Sequence, residues 1–343
     1  MSAIAQGSPA IDSRVDLDGI APELIQRFDA DLAALWEHSE GAKLGVAVSG
    51  GPDSLALLFL AAASMPDRVE AATVDHGLRA ESGDEARFVA EVCDALGIAH
   101  AILPVEVDEA GNLQANARGA RYAALAKWRD ERGLSAIATA HHADDQAETL
   151  LMRLNRGSGL AGLSGVRSVG QNPSDGGLLL RPFLGWRKAE LESVCEAAGV
   201  KPARDPSNED ARFDRVQMRG ALAQADWIDP LALAQSAQNL GEAQDYLMSQ
   251  FQAVYDGNVR DIKGGVAYSP GNSRFENIEI VRIVFARFGI EPTRSELARC
   301  VDRLWSGKNA SLAGILIRPE VDNWIGFEGR VWHFAPEPPR QSG

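Results

Sequence analysis

The chain has no apolar run of the roughly eighteen residues that a membrane-spanning helix requires. Met1 to Asp18 offers neither the basic start nor the apolar stretch of a signal peptide, so the protein is expected to stay in the cytoplasm, with no membrane attachment. Cysteine is scarce. Cys93, Cys195 and Cys300 are widely separated, without a Cys-x-x-Cys pair or a Cys/His spacing suited to zinc or an iron–sulfur cluster. All three are expected as reduced, buried thiols. Positive charge is also short: 34 Lys and Arg stand against 48 Asp and Glu, a net charge of −14. Non-specific coating of nucleic acid needs the opposite balance, because phosphates are neutralised by Lys and Arg. A local basic surface stays open, and the arginine-rich stretch from Arg153 to Arg219 is where one is expected.

What is present is an ordinary globular composition, 45% apolar and 24% charged. At 343 residues the chain exceeds the size at which one core stops growing, so two unequal domains are expected. Residues 1–20 read as a loose extension. From 21 to 224, short apolar runs alternate with helical segments, the pattern of a doubly wound, mostly parallel α/β sheet. Its strands are expected at Leu44–Val48, Val69–Val74, Ala101–Val107, Ser135–Thr139 and Leu178–Leu184. A helix from Asp53 to Ser64 is apolar nearly all round, as one packed between two layers would be. Ser82 and Glu85 make a capping box for a helix that Gly97 ends, and further helices are expected at Leu113–Arg132, Ala143–Asn155 and Arg187–Ala198. A glycine-rich stretch, Gly157–Gly177, reads as a functional loop. Residues 225–343 read as a helical linker, from about Pro230 to Tyr255, and a smaller, mainly helical C-terminal domain with short strands near Ala313–Ile317 and Arg330–Phe334.

The first strand runs straight into Ser49-Gly50-Gly51-Pro52-Asp53-Ser54 and a helix. Free backbone N–H groups and a positive helix end then meet at the carboxyl edge of the sheet, which is a phosphate site. Gly50 and Gly51 let the backbone close on an anion, and the Ser49 and Ser54 hydroxyls can donate to it. No lysine follows the glycines as in a Walker A loop, which favours chemistry at the α-phosphate with pyrophosphate as leaving group. Asp53 suits an anion site only through a cation, and a Mg²⁺ shared with the phosphates accounts for it. The plainer alternative is a Ser/Gly turn with Asp53 as helix N-cap. Five specified residues at roughly 5–8% abundance recur by chance in only about a few of ten thousand such chains.

After the strand ending at Thr139 comes His141-His142-Ala143-Asp144-Asp145-Gln146-Ala147-Glu148-Thr149. A helix beginning near Ala143 sets His141 and Asp145 toward the strand ends, and puts Asp145, Glu148 and Met152 on one face. One cleft would then receive two acids and an imidazole. Such a site suits lysine, whose ammonium groups seek carboxylates and whose ε-amine, with a pKa of about 10.4, must lose a proton before attacking. Either His141 or Asp145 could take it. Helix capping and zinc ligation explain the same residues, although no third zinc ligand of suitable spacing follows.

The strand, Ser-Gly-Gly-x-Asp-Ser and helix together resemble the PP-loop ATP pyrophosphatase superfamily, whose Rossmann-like domain uses ATP to adenylate a carbonyl oxygen. Within it the chain is similar to the tRNA(Ile)-lysidine synthetases. The likeness rests on Ser49–Ser54, Val74-Asp75-His76-Gly77-Leu78-Arg79, Asn116-Ala117-Arg118 with Ala120-Arg121-Tyr122, the block from Thr139 to Gly165, and Asp205-Pro206-Ser207-Asn208 ahead of Phe213 and Arg215. It covers about 40–220. The resemblance implies that ATP adenylates the wobble cytidine of an isoleucine tRNA with a CAU anticodon, and that free L-lysine then displaces AMP from C2. Arg121, with Arg118 beside it, is expected at the reacting phosphate, since a planar guanidinium meets phosphate oxygens in pairs. Asp75, His76 and Arg79 are expected near the nucleotide, Asp145 and Glu148 at lysine. Arg118, Arg153, Arg156, Arg215 and Arg219 are expected at RNA phosphates, and the C-terminal domain against the tRNA. Each arginine could equally be a solvated surface charge, and a homodimer is one open oligomeric state.

Two other functions fit parts of this pattern. A PP-loop tRNA thiolase needs a persulfide or an iron–sulfur cluster, which the cysteine spacing disfavours. A non-catalytic nucleotide sensor would bind ATP without turnover.

Overall fold

Leu44, Val46 and Val48 are buried against one layer of helices, while Gly45 and Ala47, alternating with them, face the other. That strand is the centre of the first of two units into which the chain divides, Met1–Gly241 and Glu242–Gly343. The computed structural model describes residues 10–11, 15–77, 82–108, 110–203, 214–324 and 327–337. In chain order the first unit holds β1 (Ala10–Ile11), α1 (Pro22–Leu35), β2 (Leu44–Ala47), α2 (Pro52–Ser64), β3 (Val69–Asp75), α3 (Ser82–Leu96), β4 (Ala99–Pro104) and α4 (Leu113–Arg132). It continues through β5 (Ala136–Ala138), α5 (Ala143–Asn155), α6 (Leu160–Leu163), β6 (Val169–Gln171), β7 (Leu178–Leu180), α7 (Lys188–Ala197), β8 (Val200–Lys201) and α8 (Asp214–Ala223). The sheet order is β4-β3-β2-β5-β7-β6, parallel except for β6. The doubly wound, mostly parallel α/β sheet expected from the alternation is therefore present. From β2 the chain moves outward to β3 and β4, then returns to the other side of β2 for β5. The carboxyl ends of β2 and β5 thus flank a topological switch point, where such sheets bind ligands.

Packing explains the local choices. α2 is buried from Ser54 to Ala61, as an all-apolar helix between layers must be. On the other face Trp128, Leu134 and Ile137 pack over Gly45, so closely that a Cβ there would come within 2.8 Å of their side chains. At the amino edge of the sheet, Glu70 is buried but held by Lys43 and Arg132 at 3.0 and 2.6 Å.

Several expectations need correction. Residues 15–20 are anchored, not loose: Val15 and Ile20 are buried in the core, and β1 pairs with β8. The glycine-rich stretch contains α6 and β6, the latter too short and polar for its periodicity to stand out. β7 ends at Leu180, and Pro182 beyond it has no N–H for a ladder. Leu78, Arg79 and the segment 204–213, with its Asp-Pro-Ser-Asn turn, lie outside the described residues.

α9 (Pro230–Asn258) carries the chain into the second unit, which continues with β9 (Val259–Ile262), β10 (Gly265–Tyr268), α10 (Arg274–Arg287), α11 (Arg294–Trp305), β11 (Ala310–Leu312), β12 (Ile315–Trp324) and β13 (Phe327–Pro336). The helical linker is there, but the unit expected to be mainly helical is built on a five-stranded antiparallel sheet, β11-β12-β13-β10-β9, where only two short strands were foreseen, with α10 and α11 packed on it. The overlooked signal is Lys263-Gly264, a two-residue hairpin turn with Gly264 at φ +86°. No described helix is long and apolar enough to cross a membrane.

α5 is fixed at its start, which matters for the site. Ala143 N donates to the Trp186 carbonyl at 2.9 Å, and the Asp144 carboxylate accepts from the Lys188 N–H at 2.8 Å and from Arg187 at 3.2 Å. Burial opposes the charge on Asp144, but His142, Arg187 and the α7 amino end outweigh it and hold the carboxyl well below its usual range. A depressed folded-state pKa contributes stability above the ordinary carboxylate value, and that stability is lost as pH falls through it.

Two outcomes follow for stability. Asp144→Asn should destabilise the protein by about 1.5–3 kcal/mol at neutral pH, with the difference from wild type shrinking below about pH 4; a pH-independent difference in urea melts would contradict the charged clip. Gly45→Ala should cost about 1–3 kcal/mol through overpacking, and an unchanged melting midpoint would contradict the tight packing over β2.

Candidate active site

Between β2 and α2 the backbone turns sharply. Gly50 adopts φ +84°, a left-handed conformation that a side chain would penalise, and its carbonyl accepts from the Ala203 N–H. Ser54 Oγ accepts from the Ser49 N–H at 3.0 Å and lies 3.2 Å from Ser49 Oγ, so the two serines brace the loop. Gly51 is the N-cap of α2 and no side chain caps the helix. The positive end of α2 therefore opens into a cavity of about 230 Å³ lined by Ser49, Gly51, Asp53 and Ser54. Asp53 lies inside the first turn, not at the N-cap position that the plainer alternative required. One of its oxygens, Oδ1, is buried with no hydrogen-bond partner among the described residues. An orphaned carboxylate oxygen beside an uncapped helix end fits a cation shared with phosphate groups.

The facing wall comes from α4 and the end of β5. Arg118, Arg121 and Tyr122 line it, as do Thr139, His141 and Asp145. Arg118 stacks over the Tyr122 ring with its guanidinium carbon 4.9 Å from the centroid. Arg121 stands in an open cleft that water reaches, yet the surrounding protein and nearby Arg118 lower its pKa. His141 Nδ1 is 3.1 Å from Thr139 Oγ1. Burial lowers His141 to about 4; Asp145 is the next largest influence and pulls the other way, but Arg181, Arg118 and Arg215 side with burial, so the ring is neutral at physiological pH.

His142 behaves oppositely. It is buried, with Nε2 at 3.6 Å from both Asp53 and Asp145 and Nδ1 at 3.6 Å from Asp144. Burial disfavours its charge, but the three carboxylates prevail and raise it to about 10. The Asp145 N–H approaches Nδ1 at 3.4 Å, long for the hydrogen bond of a neutral ring. The charged form, with Nδ1–H turned to Asp144, is the one this surround enforces.

The expected site residues divide into a set at the cavity, a set beside it and a set along α5 and α8. Ser49, Gly51, Asp53, Ser54, Arg118, Arg121, His141 and Asp145 meet at one cavity. Gly50 and Pro52 shape its floor from behind: Pro52 starts α2, and its carbonyl accepts from Cys195 Sγ at 3.2 Å. Asp75 ends β3 and binds the Gly77 N–H. His76 beside it is half-buried, its ring nitrogens have no partner among the described residues, and burial followed by Arg121 lowers its pKa.

Glu148 is not at the cavity wall, contrary to the expectation of two acids in one cleft. It is buried one turn farther along α5, where Arg219 and Arg215 bind it at 2.7 and 3.1 Å. Arg156 pairs with Asp214 at the start of α8, and Arg153 donates to the Gly162 carbonyl that shapes α6. Helical spacing placed Glu148 on the correct face but could not reveal that α8 covers that face.

Sequence reasoning passed over His142, Tyr122 and Arg181. Arg181 is buried at the end of β7 and helps keep His141 neutral. A signal for His142 existed: it is the residue just before a helix that follows a strand, where a polar side chain caps the helix and faces the strand ends. Tyr122 lies four residues after Arg118, within stacking reach on one helix.

Residues 24–226 match a family model described as a PP-loop domain. Among curated relatives, the tRNA(Ile)-lysidine synthase of Novosphingobium aromaticivorans is 44% identical over 319 residues, covering 92% of this chain and 94% of that protein. That of Zymomonas mobilis subsp. mobilis is 39% identical over 333 residues, 94% of this chain and 96% of the other. Among solved structures, the U34-tRNA thiolase NcsA from Methanococcus maripaludis superposes with a TM-score of 0.53 over 64% of this chain and 78% of its own, at 18% identity, a likeness of fold alone. With a matching PP-loop domain and relatives aligned over nearly their whole length, the chain belongs to the tRNA(Ile)-lysidine synthase family.

Proposed function

We infer that this protein acts in the cytoplasm as an ATP-dependent ligase that joins free L-lysine to C2 of the wobble cytidine of an isoleucine tRNA with a CAU anticodon. The observation that carries this is the shared cavity. A phosphate-binding half (Ser49, Gly51, Asp53 and Ser54) faces an amine-binding and proton-accepting half (Asp145 and His141).

In the first step the C2 carbonyl oxygen of the base attacks the α-phosphorus of ATP and pyrophosphate leaves. The amino end of α2 and the guanidiniums of Arg118 and Arg121 stabilise the charge on the phosphorus in flight. Mg²⁺, held through the phosphates by Asp53, would neutralise part of the triphosphate charge. In the second step the ε-ammonium of lysine gives one proton to solvent, the free amine attacks C2 and AMP leaves. Asp145 attracts the lysine ammonium. His141, neutral and therefore able to accept a proton, is too weak a base to deprotonate an ammonium in the ground state. It serves once the attacking nitrogen has bonded to C2 and become acidic. The modified base must be unstacked, which is easy in a single-stranded anticodon loop. Arg153, Arg156, Arg215, Arg219 and the second unit are proposed to meet the RNA around it.

Sulfur transfer fits less well. Burial pushes the Cys93 and Cys195 thiols up to about 12 and Cys300 to about 11, so they stay protonated and unreactive.

Purified protein incubated with ATP, radiolabelled lysine and unmodified isoleucine tRNA should place label in the wobble nucleoside. Asp53→Ala should lower incorporation by at least about a hundredfold with an unchanged melting curve; near-wild-type activity would remove Asp53 from the mechanism. ATP binding without RNA-stimulated pyrophosphate release would identify a nucleotide sensor instead.

A further inference from the structure

Glu148 is 2% exposed, and both of its oxygens are taken by guanidiniums of α8: Arg219 Nε donates to Oε1 at 2.7 Å, and Arg215 Nε to Oε2 at 3.1 Å. α8 buries none of its own residues. Its polar contacts with α5 are completed by Arg156 with Asp214 and by Arg215 with the Thr149 hydroxyl at 3.1 Å, beside the half-buried Met152 and Met218, which line one cavity. A helix attached in this way can have its arginines redirected without breaking an apolar core. The pair also lies within electrostatic reach of the cavity, because Arg219 feels Asp145 and Asp53, and His141 feels Arg215.

Under the proposed function the arginines of α8 meet RNA phosphates and Asp145 meets an ammonium group of lysine, which the sequence also led us to expect of Glu148, one turn farther along the same face of α5. Glu148 cannot do the second while it holds both arginines. We infer that Glu148 exchanges partners: it holds Arg215 and Arg219 in the free protein, and accepts an ammonium group of lysine once RNA phosphates have drawn the two arginines away. This rests on the proposed function.

The physical reason is conservation of charge pairing. Removing both guanidiniums from a buried carboxylate with nothing in return leaves an uncompensated charge, which is strongly unfavourable. A lysine ammonium that arrives while the arginines remain meets two like charges. Either event alone is uphill; together, every charge keeps a partner. RNA and lysine therefore bind cooperatively, and the coupling is reciprocal by thermodynamic necessity.

The test uses the full-length protein without ATP, so that nothing turns over. L-Lysine is titrated calorimetrically with and without an anticodon stem–loop RNA bearing CAU, and the RNA is titrated with and without saturating lysine. Each ligand should tighten the other by at least about tenfold, by the same factor in both directions. In Glu148→Gln the coupling should fall below about twofold. An Arg215→Gln, Arg219→Gln double variant, checked for folding by its melting curve and ATP binding, should bind lysine without RNA as tightly as wild type does with it. Equal lysine affinity with and without RNA in the wild type overturns the exchange even if the variants do not fold, and so does coupling that survives in Glu148→Gln. With ATP and labelled lysine added to the same preparation, label in the wobble nucleoside alongside absent coupling means that only the exchange is wrong. No label under any condition means that the ligase reading underneath it is wrong as well.

Discussion

The amino end of α2 opens into a cavity without a side-chain cap, so its backbone donors and its dipole are directed at whatever fills that space. In a protein of net charge −14 this helix end offers a polyanion local positive potential. Much of the first unit can be understood as what is needed to keep that end bare and in place. Gly50 makes the left-handed turn, Ser49 and Ser54 brace each other, and the all-apolar body of α2 fixes the helix between two layers. Because β2 and β5 flank the switch point of the sheet, α5 begins beside the same space.

The second constraint is how negative side chains coexist with a site for negative ligands. Asp53, Asp144 and Asp145 surround His142, whose positive charge is the local answer to their mutual repulsion. Asp144 is turned away from the cavity and spent on the clip to α7, and Glu148 is covered by α8. Asp53 and Asp145 are left facing the cavity. His141 is neutral because it is buried and within range of three arginines, while its neighbour His142 is charged because it is ringed by carboxylates. Two adjacent imidazoles are thereby driven to opposite protonation states.

The strand-loop-helix around Gly50 and the alternation of the first unit were legible because both follow from local rules: period-two apolar runs, glycine at a left-handed turn, and an apolar helix between layers. Arg118 and Arg121 were found for the same reason, being three apart on one helix. What escaped the sequence is non-local. Nothing near Glu148 announces that Arg215 and Arg219, some seventy positions away, close over it. β6 exists only by pairing with β7, and Ile20 is buried only because the helices around it leave a place for it. In the second unit, β12 and β13 run on into polar residues such as Asp322 and Asn323, where strand propensity is weak and pairing alone extends the ladder.

The central claim, that the bare end of α2 is where the triphosphate binds, is tested most directly by a crystal structure of the protein with a non-hydrolysable ATP analogue and Mg²⁺. The phosphates should lie against the Gly50–Ser54 backbone, with the cation on Asp53 Oδ1 and the α-phosphorus toward Arg118 and Arg121. A triphosphate bound elsewhere on the molecule, with the α2 end filled only by solvent, would contradict the account.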